Sequence, residues 1–258
     1  TAPVRHEFRT CQKMTNAGHQ RQKDAAPRRV VMIVYPDAHI LDVVGPLEVL
    51  TGAKLFLPES IKPYDVHVVA EKAGSIRTTS GLTIEADQSF ADAAKDDAQI
   101  NTLMIAGGHG TVEALEHKGL LNFVRHAAGR ADRIVSICTG AMILAEIGLL
   151  NGRRATTHWW WCPILKSKYP EVEVEPDAIY VRDGNIWTSA GVTTGMDLAL
   201  SLVEADWGHD VALQVARYNV MYMMRPGGQS QFSAHLVAQK AEDPVINETL
   251  SYILANLT

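Results

Sequence analysis

The stretch Arg133-Ile134-Val135-Ser136-Ile137-Cys138-Thr139-Gly140-Ala141 decides the fold of this 258-residue chain. It reads as a short buried strand, an abrupt turn at Cys138, and the start of a helix. A turn of that kind lifts its central side chain above the sheet and points helix-start N–H groups toward it. Such donors favour a thiolate over a thiol, which predicts a cysteine that is reactive near neutral pH. The alternative is a buried structural cysteine, a common fate for a free one.

Outward from this stretch, strands alternate with helices. Val30-Val31-Met32-Ile33-Val34-Tyr35 is a continuous apolar run that predicts a strand buried on both faces of a parallel sheet, ended by Pro36-Asp37. A helix is predicted over 43–53, with Val44, Leu47, Leu50 and Thr51 on one face. A strand follows over 64–70, then a hairpin over 76–86 around Ser80-Gly81. Thr102-Leu103-Met104-Ile105-Ala106 is a further buried strand, running into Gly107-Gly108-His109-Gly110. A helix is predicted over 120–131, and Asp183-Gly184 marks a second hairpin. Two more helices are predicted over 193–207 and 209–224. Met196, Leu200 and Val203 share a face of the first, Thr193 or Thr194 is its N-cap, and Pro226-Gly227-Gly228 stops the second. Strands alternating with helices predict a mostly parallel sheet covered on both sides, with ligands at the carboxyl ends of its strands. Three loops fall there: the one after Tyr35, the glycine loop after Ala106, and the Cys138 turn.

Composition narrows the class. Hydrophobic residues make up 47% and charged residues 21% of the chain, which suits a globular protein with a full core. No apolar run approaches a membrane span, and the first residues lack a signal-peptide core. Cys11, Cys138 and Cys162 do not form a disulfide framework, and a reducing cytoplasm is the expected compartment. The net charge of −5 is uneven. Residues 1–29 carry seven Lys/Arg against two Asp/Glu, which leaves 17 basic and 27 acidic groups elsewhere, a balance of −10. An acidic body is a poor match for a phosphate backbone, so DNA contact is not expected from this part of the chain. The basic start of the chain is read as a loose extension over 1–28.

Several motifs occur in one order: Ile40-Leu41-Asp42-Val43-Val44-Gly45-Pro46-Leu47-Glu48-Val49-Leu50, then Ala106-Gly107-Gly108, then Ser136-Ile137-Cys138-Thr139-Gly140-Ala141, then Gly148 through Trp159 with Arg153-Arg154-Ala155-Thr156-Thr157-His158 inside it. Together they resemble the ThiJ/PfpI superfamily, the class I glutamine amidotransferase-like fold, over residues 29–236. The resemblance implies a flavodoxin-like three-layer α/β/α sandwich with a cysteine nucleophile elbow. Within that superfamily the likeness is to the amino-terminal effector domain of AraC-type transcription regulators and, next, to isonitrile hydratase. The segment from Arg225 through Phe232 resembles the regulators specifically. Ile246, Leu250, Ile253, Leu254 and Leu257 form a helical stripe, so residues 237–258 read as a linker and the first helix of a truncated helix-turn-helix domain.

The resemblance places an acid, here Asp42, beside Cys138, where it could donate to a thiolate or move a proton. Asp42 could equally be a helix N-cap. Glu48 is a second acid of lower rank. Backbone N–H groups of Gly108 and Thr139 are candidates for holding negative charge or a ligand. His109 is read at the pocket mouth, and His158 as a base that could pair with the thiol. Amidotransferases carry a Glu two residues after their histidine, but Trp160 stands there; PfpI-type proteases carry a His after the nucleophile, but Thr139 stands there. Both departures argue against those activities. His158 and Cys162 are four residues apart, but with no further ligand pair nearby neither a metal nor a cofactor is expected. Of Trp159-Trp160-Trp161, one or two are expected in the core and one at a pocket or subunit contact.

The expected function is effector sensing in an AraC-type regulator. A small molecule would bind near Cys138 and Asp42 in a homodimer, and DNA would be bound only through a carboxyl-terminal domain missing here. The alternative is an isonitrile hydratase-like cysteine enzyme, with Cys138 as nucleophile and Asp42 as acid/base.

Overall fold

A computed structural model describes residues 26–223, 228–229, 248–249 and 252. In chain order its elements are β1 (Arg28–Ile33), α1 (Ile40–Gly52), a 3-10 turn (Ala53–Phe56), β2 (Tyr64–Ala70), β3 (Gly74–Arg77), β4 (Thr83–Ala86), β5 (Gln88–Ser89) and α2 (Phe90–Ala93). There follow β6 (Ile100–Ile105), α3 (Thr111–Glu116), α4 (Lys118–Ala128), β7 (Ala131–Ile137), α5 (Gly140–Glu146) and β8 (Arg154–Ala155). The last are α6 (Cys162–Lys168), β9 (Glu173–Val174), β10 (Tyr180–Asp183), β11 (Ile186–Ser189), α7 (Thr194–Trp207) and α8 (His209–Tyr218). The extension expected over 1–28 falls, up to residue 25, outside the described residues, as does most of 224–258 with the expected truncated helix-turn-helix.

Seven strands form one sheet in the order β10-β11-β7-β6-β1-β2-β5. Every neighbouring pair is parallel except β10 with β11. The three central strands are the three apolar runs of the sequence. Val31 stands opposite Leu103, and Leu103 opposite Ile134, all buried. Each such side chain, fully buried, contributes about 1.5–3 kcal/mol. β2 lies on one side of β1 and β6 on the other, so the order reverses there and a crevice opens at the carboxyl ends of β1 and β6. Both predicted hairpins form, β3 with β4 and β10 with β11, the latter turning through Gly184 at φ +60°.

Helix boundaries depart from the sequence pattern where tertiary contacts set them. α1 begins at Ile40, three residues before the predicted start, because His39 donates its N–H to the Gly107 carbonyl (2.8 Å) and fixes the entry. Asp42 therefore lies inside the first turn and is not the N-cap, a position held by His39. The buried face of α1 is Val43, Pro46, Val49 and Leu50, whereas Val44 of the predicted face is exposed. Thr193 holds the N-cap of α7 without a side-chain cap hydrogen bond. α7 is buried nearly all round, between α1 and α8, so its three-residue stripe understates its burial. α8 stops at Tyr218, not near 224: the Asn219 amide turns back to the Val215 carbonyl, and Val220 sits at φ +55°.

At the amino end of the sheet, Arg133 on β7 grips Asp206 on α7 through two hydrogen bonds (3.1 and 2.8 Å), and Tyr64 donates to the same carboxylate (3.0 Å). This buried network clamps α7 to the sheet opposite the crevice.

Candidate functional site

Cys138 occupies the junction of β7 and α5 at φ +54°, a conformation that L side chains rarely adopt. Strain of this kind, of order 1–3 kcal/mol, persists only where neighbours hold it. Here they do. Cys138 donates its N–H to Ser189 on β11 (3.0 Å), and its carbonyl accepts from the Thr157 hydroxyl (2.8 Å). Two glycines press against the residue. A Cβ at Gly191 would lie 2.1 Å from the cysteine Cβ, and a Cβ at Gly107 2.7 Å from it. Gly191 also sits at φ +85°. The thiol is thus walled by the ends of three strands, β6, β7 and β11.

Asp42 reaches the same point from α1. It is fully buried, and both its oxygens accept backbone N–H groups: Oδ1 from Val192 (2.8 Å) and Oδ2 from Gly107 (3.2 Å). His39 Nδ1 lies 3.8 Å from Oδ1. Burial raises the Asp42 pKa, while the two N–H donors and His39 work against that rise. The Cys138 pKa is held well above the usual thiol range, first by burial and then by the Asp42 charge; the Thr139 N–H and hydroxyl oppose this only in part. Burial opposes ionisation of both groups, and a charge on Asp42 further opposes that of the thiol. Against the expectation of a thiolate near neutral pH, the shift of Cys138 runs toward the thiol. The N–H groups of the turn are present, but Cys138 is only 7% exposed and stands beside the buried carboxyl of Asp42.

The remaining candidates separate into near and far. Thr139 is buried, and its hydroxyl accepts from Gly108 N–H (2.8 Å) and bonds Thr111 Oγ1 (2.6 Å). The Gly108 N–H is therefore already engaged with Thr139, and the Gly107 N–H with Asp42. Gly108, at φ +146°, holds its loop against Ala38 and His39. His109 is an exposed loop residue, and Glu48 is exposed on α1. His158 is half-buried beside Trp159, with ring centroids 5.5 Å apart. Burial, and after it the nearby His39, lowers its pKa. Besides burial, the groups that perturb Cys138 are the Asp42 carboxyl and the hydrogen bonds of Thr139. Trp159 and Trp160 are exposed, and Trp161 alone of the triplet packs on the core. Cys162 is buried against the carbonyls of Thr157 and His158 (3.5 and 3.6 Å). Among the described residues no cluster of three His, Cys, Asp or Glu could hold a metal, and no helix is long and apolar enough to cross a membrane.

Sequence reasoning missed His39, Gly191 and Val192. The last two form a second strand–glycine–helix junction, Ala190-Gly191-Val192-Thr193, beside the first. Val192, a β-branched residue at φ +53°, is strained so that its N–H can meet Asp42. A glycine between a buried strand and a helix was the available signal.

The fold and site define an α/β protein with a buried cysteine at a strand-to-helix elbow and a carboxylate beside it. The model of the DJ-1/PfpI family matches residues 28–205, and the chain belongs to that family. An isonitrile hydratase of Pseudomonas putida is 31% identical over 200 residues, 77% of this chain and 80% of that protein. The transcriptional regulator CdhR of Pseudomonas aeruginosa is 29% identical over 194 residues, 75% of this chain and 55% of the regulator. The chain thus spans about half the length of the curated regulators it matches. Among solved structures, a ThiJ/PfpI family protein from Pseudomonas syringae superposes with a TM-score of 0.69 at 27% identity, covering 82% of each chain.

Proposed function

We propose that residues 29–236 are the effector-binding domain of an AraC-type transcription regulator, with a small molecule held near Cys138 and Asp42. Residues 237–258 would lead into a DNA-binding domain, and the regulator would act as a cytoplasmic homodimer. The observation that carries this reading is the enclosure of the pair. Cys138 is walled in by Gly107 and Gly191, and both oxygens of Asp42 are already engaged by backbone N–H groups, an arrangement that suits recognition better than attack. A ligand that bound one of two domain arrangements more tightly would shift the equilibrium that DNA affinity reads. Likeness to regulators such as CdhR supports the same reading.

The second reading is isonitrile hydration, favoured by the proximity of Asp42 to Cys138 and by the 31% identical hydratase. There Cys138 would add through sulfur to the isocyanide carbon, its proton passing by way of Asp42 to the same carbon. Water would then replace sulfur to release an N-substituted formamide and restore the thiol.

Two measurements separate these readings. Sequencing the reading frame past Thr258 is expected to show two helix-turn-helix units. Incubation with an alkyl isocyanide, followed by NMR, is expected to yield no formamide beyond the Cys138→Ala background. A stop codon after Thr258 together with cysteine-dependent formamide would overturn the regulator reading.

A further inference from the structure

Next to the crevice, on the far side of the glycine loop, lies a cavity of about 440 Å³. It is bounded by the ends of β1 and β2, the β3–β4 hairpin, α2, α3 and α4. Its deep wall consists of Tyr35, Ala70, Phe90, Ala114 and Leu120, all buried. The Phe90 ring is itself backed by Phe123, stacked at 4.6 Å between centroids. Charged groups of the lining, Glu71, Lys72, Glu113 and His117, stand at its solvent side. His117 Nδ1 accepts the Leu120 N–H (3.0 Å), so its proton is on Nε2, which faces Glu71 at 3.3 Å. That pair joins the loop after β2 to the start of α4 across the opening.

We infer that this cavity is a second ligand site, for a small neutral aromatic molecule, and that its occupancy is felt at Cys138 through Tyr35, Thr111 and Thr139. The volume lies within the range of small-molecule pockets. Two aromatic rings in an otherwise aliphatic wall favour a planar apolar ligand. A deep wall without an opposing charge penalises an ion. The link to the cysteine is a chain of buried hydrogen bonds. Tyr35 OH donates to the Ala106 carbonyl (2.9 Å) and bonds Thr111 Oγ1 (2.9 Å), which bonds Thr139 Oγ1 (2.6 Å), the residue after Cys138. A ligand packed on the Tyr35 ring fixes the first member of that chain. The site does not depend on what binds at Cys138 or on any DNA-binding domain, so it stands or falls separately from the regulator reading.

The test uses indole as probe, with two readouts: equilibrium dialysis for binding, and iodoacetamide labelling of Cys138 by peptide mass spectrometry for coupling. Saturable binding of one indole per chain is expected. Ala73→Phe, at an exposed position in the lining, should weaken it by about tenfold or more, equivalent to ~1.4 kcal/mol. Bound indole should change the Cys138 labelling rate by about fivefold or more. Tyr35→Phe should retain binding and lose that change. Absence of saturable binding, binding indifferent to Ala73→Phe, or a labelling rate indifferent to indole in the unsubstituted protein would each overturn the inference. So would exclusion of indole at high protein concentration that dilution relieves, since a second copy would then be the occupant.

Discussion

Gly191 lies directly against Cys138: a Cβ at position 191 would stand 2.1 Å from the cysteine Cβ and 2.7 Å from its sulfur. The turn that carries the cysteine and the junction after β11 thus meet where a side chain larger than hydrogen has no room. Gly191→Ala should cost about 2–3 kcal/mol or more, combining a clash with backbone and Cβ atoms and a strained φ. Urea unfolding checks this, and a loss under about 1 kcal/mol would mean that the two junctions can move apart.

Asp42→Asn keeps the shape of the carboxyl but places an amide NH2 where one oxygen now accepts an N–H. The loss of one buried acceptor predicts a destabilisation of about 1–3 kcal/mol. Removing the charge also removes the second largest cause of the raised Cys138 pKa, so the variant's thiol should titrate at lower pH than the parent's. An unchanged labelling profile would show that the carboxylate does not govern the sulfur.

Cys138 reactivity should rise late with pH. Its folded pKa is raised, so the thiol form dominates through neutrality and labelling should stay slow beyond the ordinary thiol range of about 8.5. The sign for stability follows. A raised folded pKa contributes stability that is fully present below the unfolded pKa and is lost as pH climbs from there through the folded value. Unfolding midpoints of Cys138→Ala should therefore fall less steeply than those of the parent above about pH 8.5. Equal slopes would place the titrating group elsewhere.

Arg133→Ala leaves Asp206 buried without its two-pronged partner, although Tyr64 and Arg28 remain beside it. The expected cost is about 3 kcal/mol. Because this network lies at the opposite end of the sheet, Cys138 labelling in the folded variant should match that of the parent. A changed rate would reveal coupling along β7.

The parallel sheet was legible because β1, β6 and β7 are unbroken apolar runs, and only a strand covered on both faces tolerates that pattern. The elbow was legible because Cys138 stands between such a run and a glycine-started helix. The state of the thiol was not. It depends on Asp42, 96 positions earlier, and on Val192, 54 later, and no local pattern encodes how deeply the three are buried together. The start of α1 was misplaced for a related reason: a hydrogen bond from His39 to the distant Gly107 sets it, where propensity alone pointed three residues on. For His158 the sequence supplied a histidine but not its surroundings, which are Trp159 and His39.

The cradle around the cysteine is made of parts that take no share in any chemistry: two missing side chains and a pair of backbone amides. A side chain added at 107 or 191 would therefore displace the cysteine by shape alone, with every titrating atom left in place.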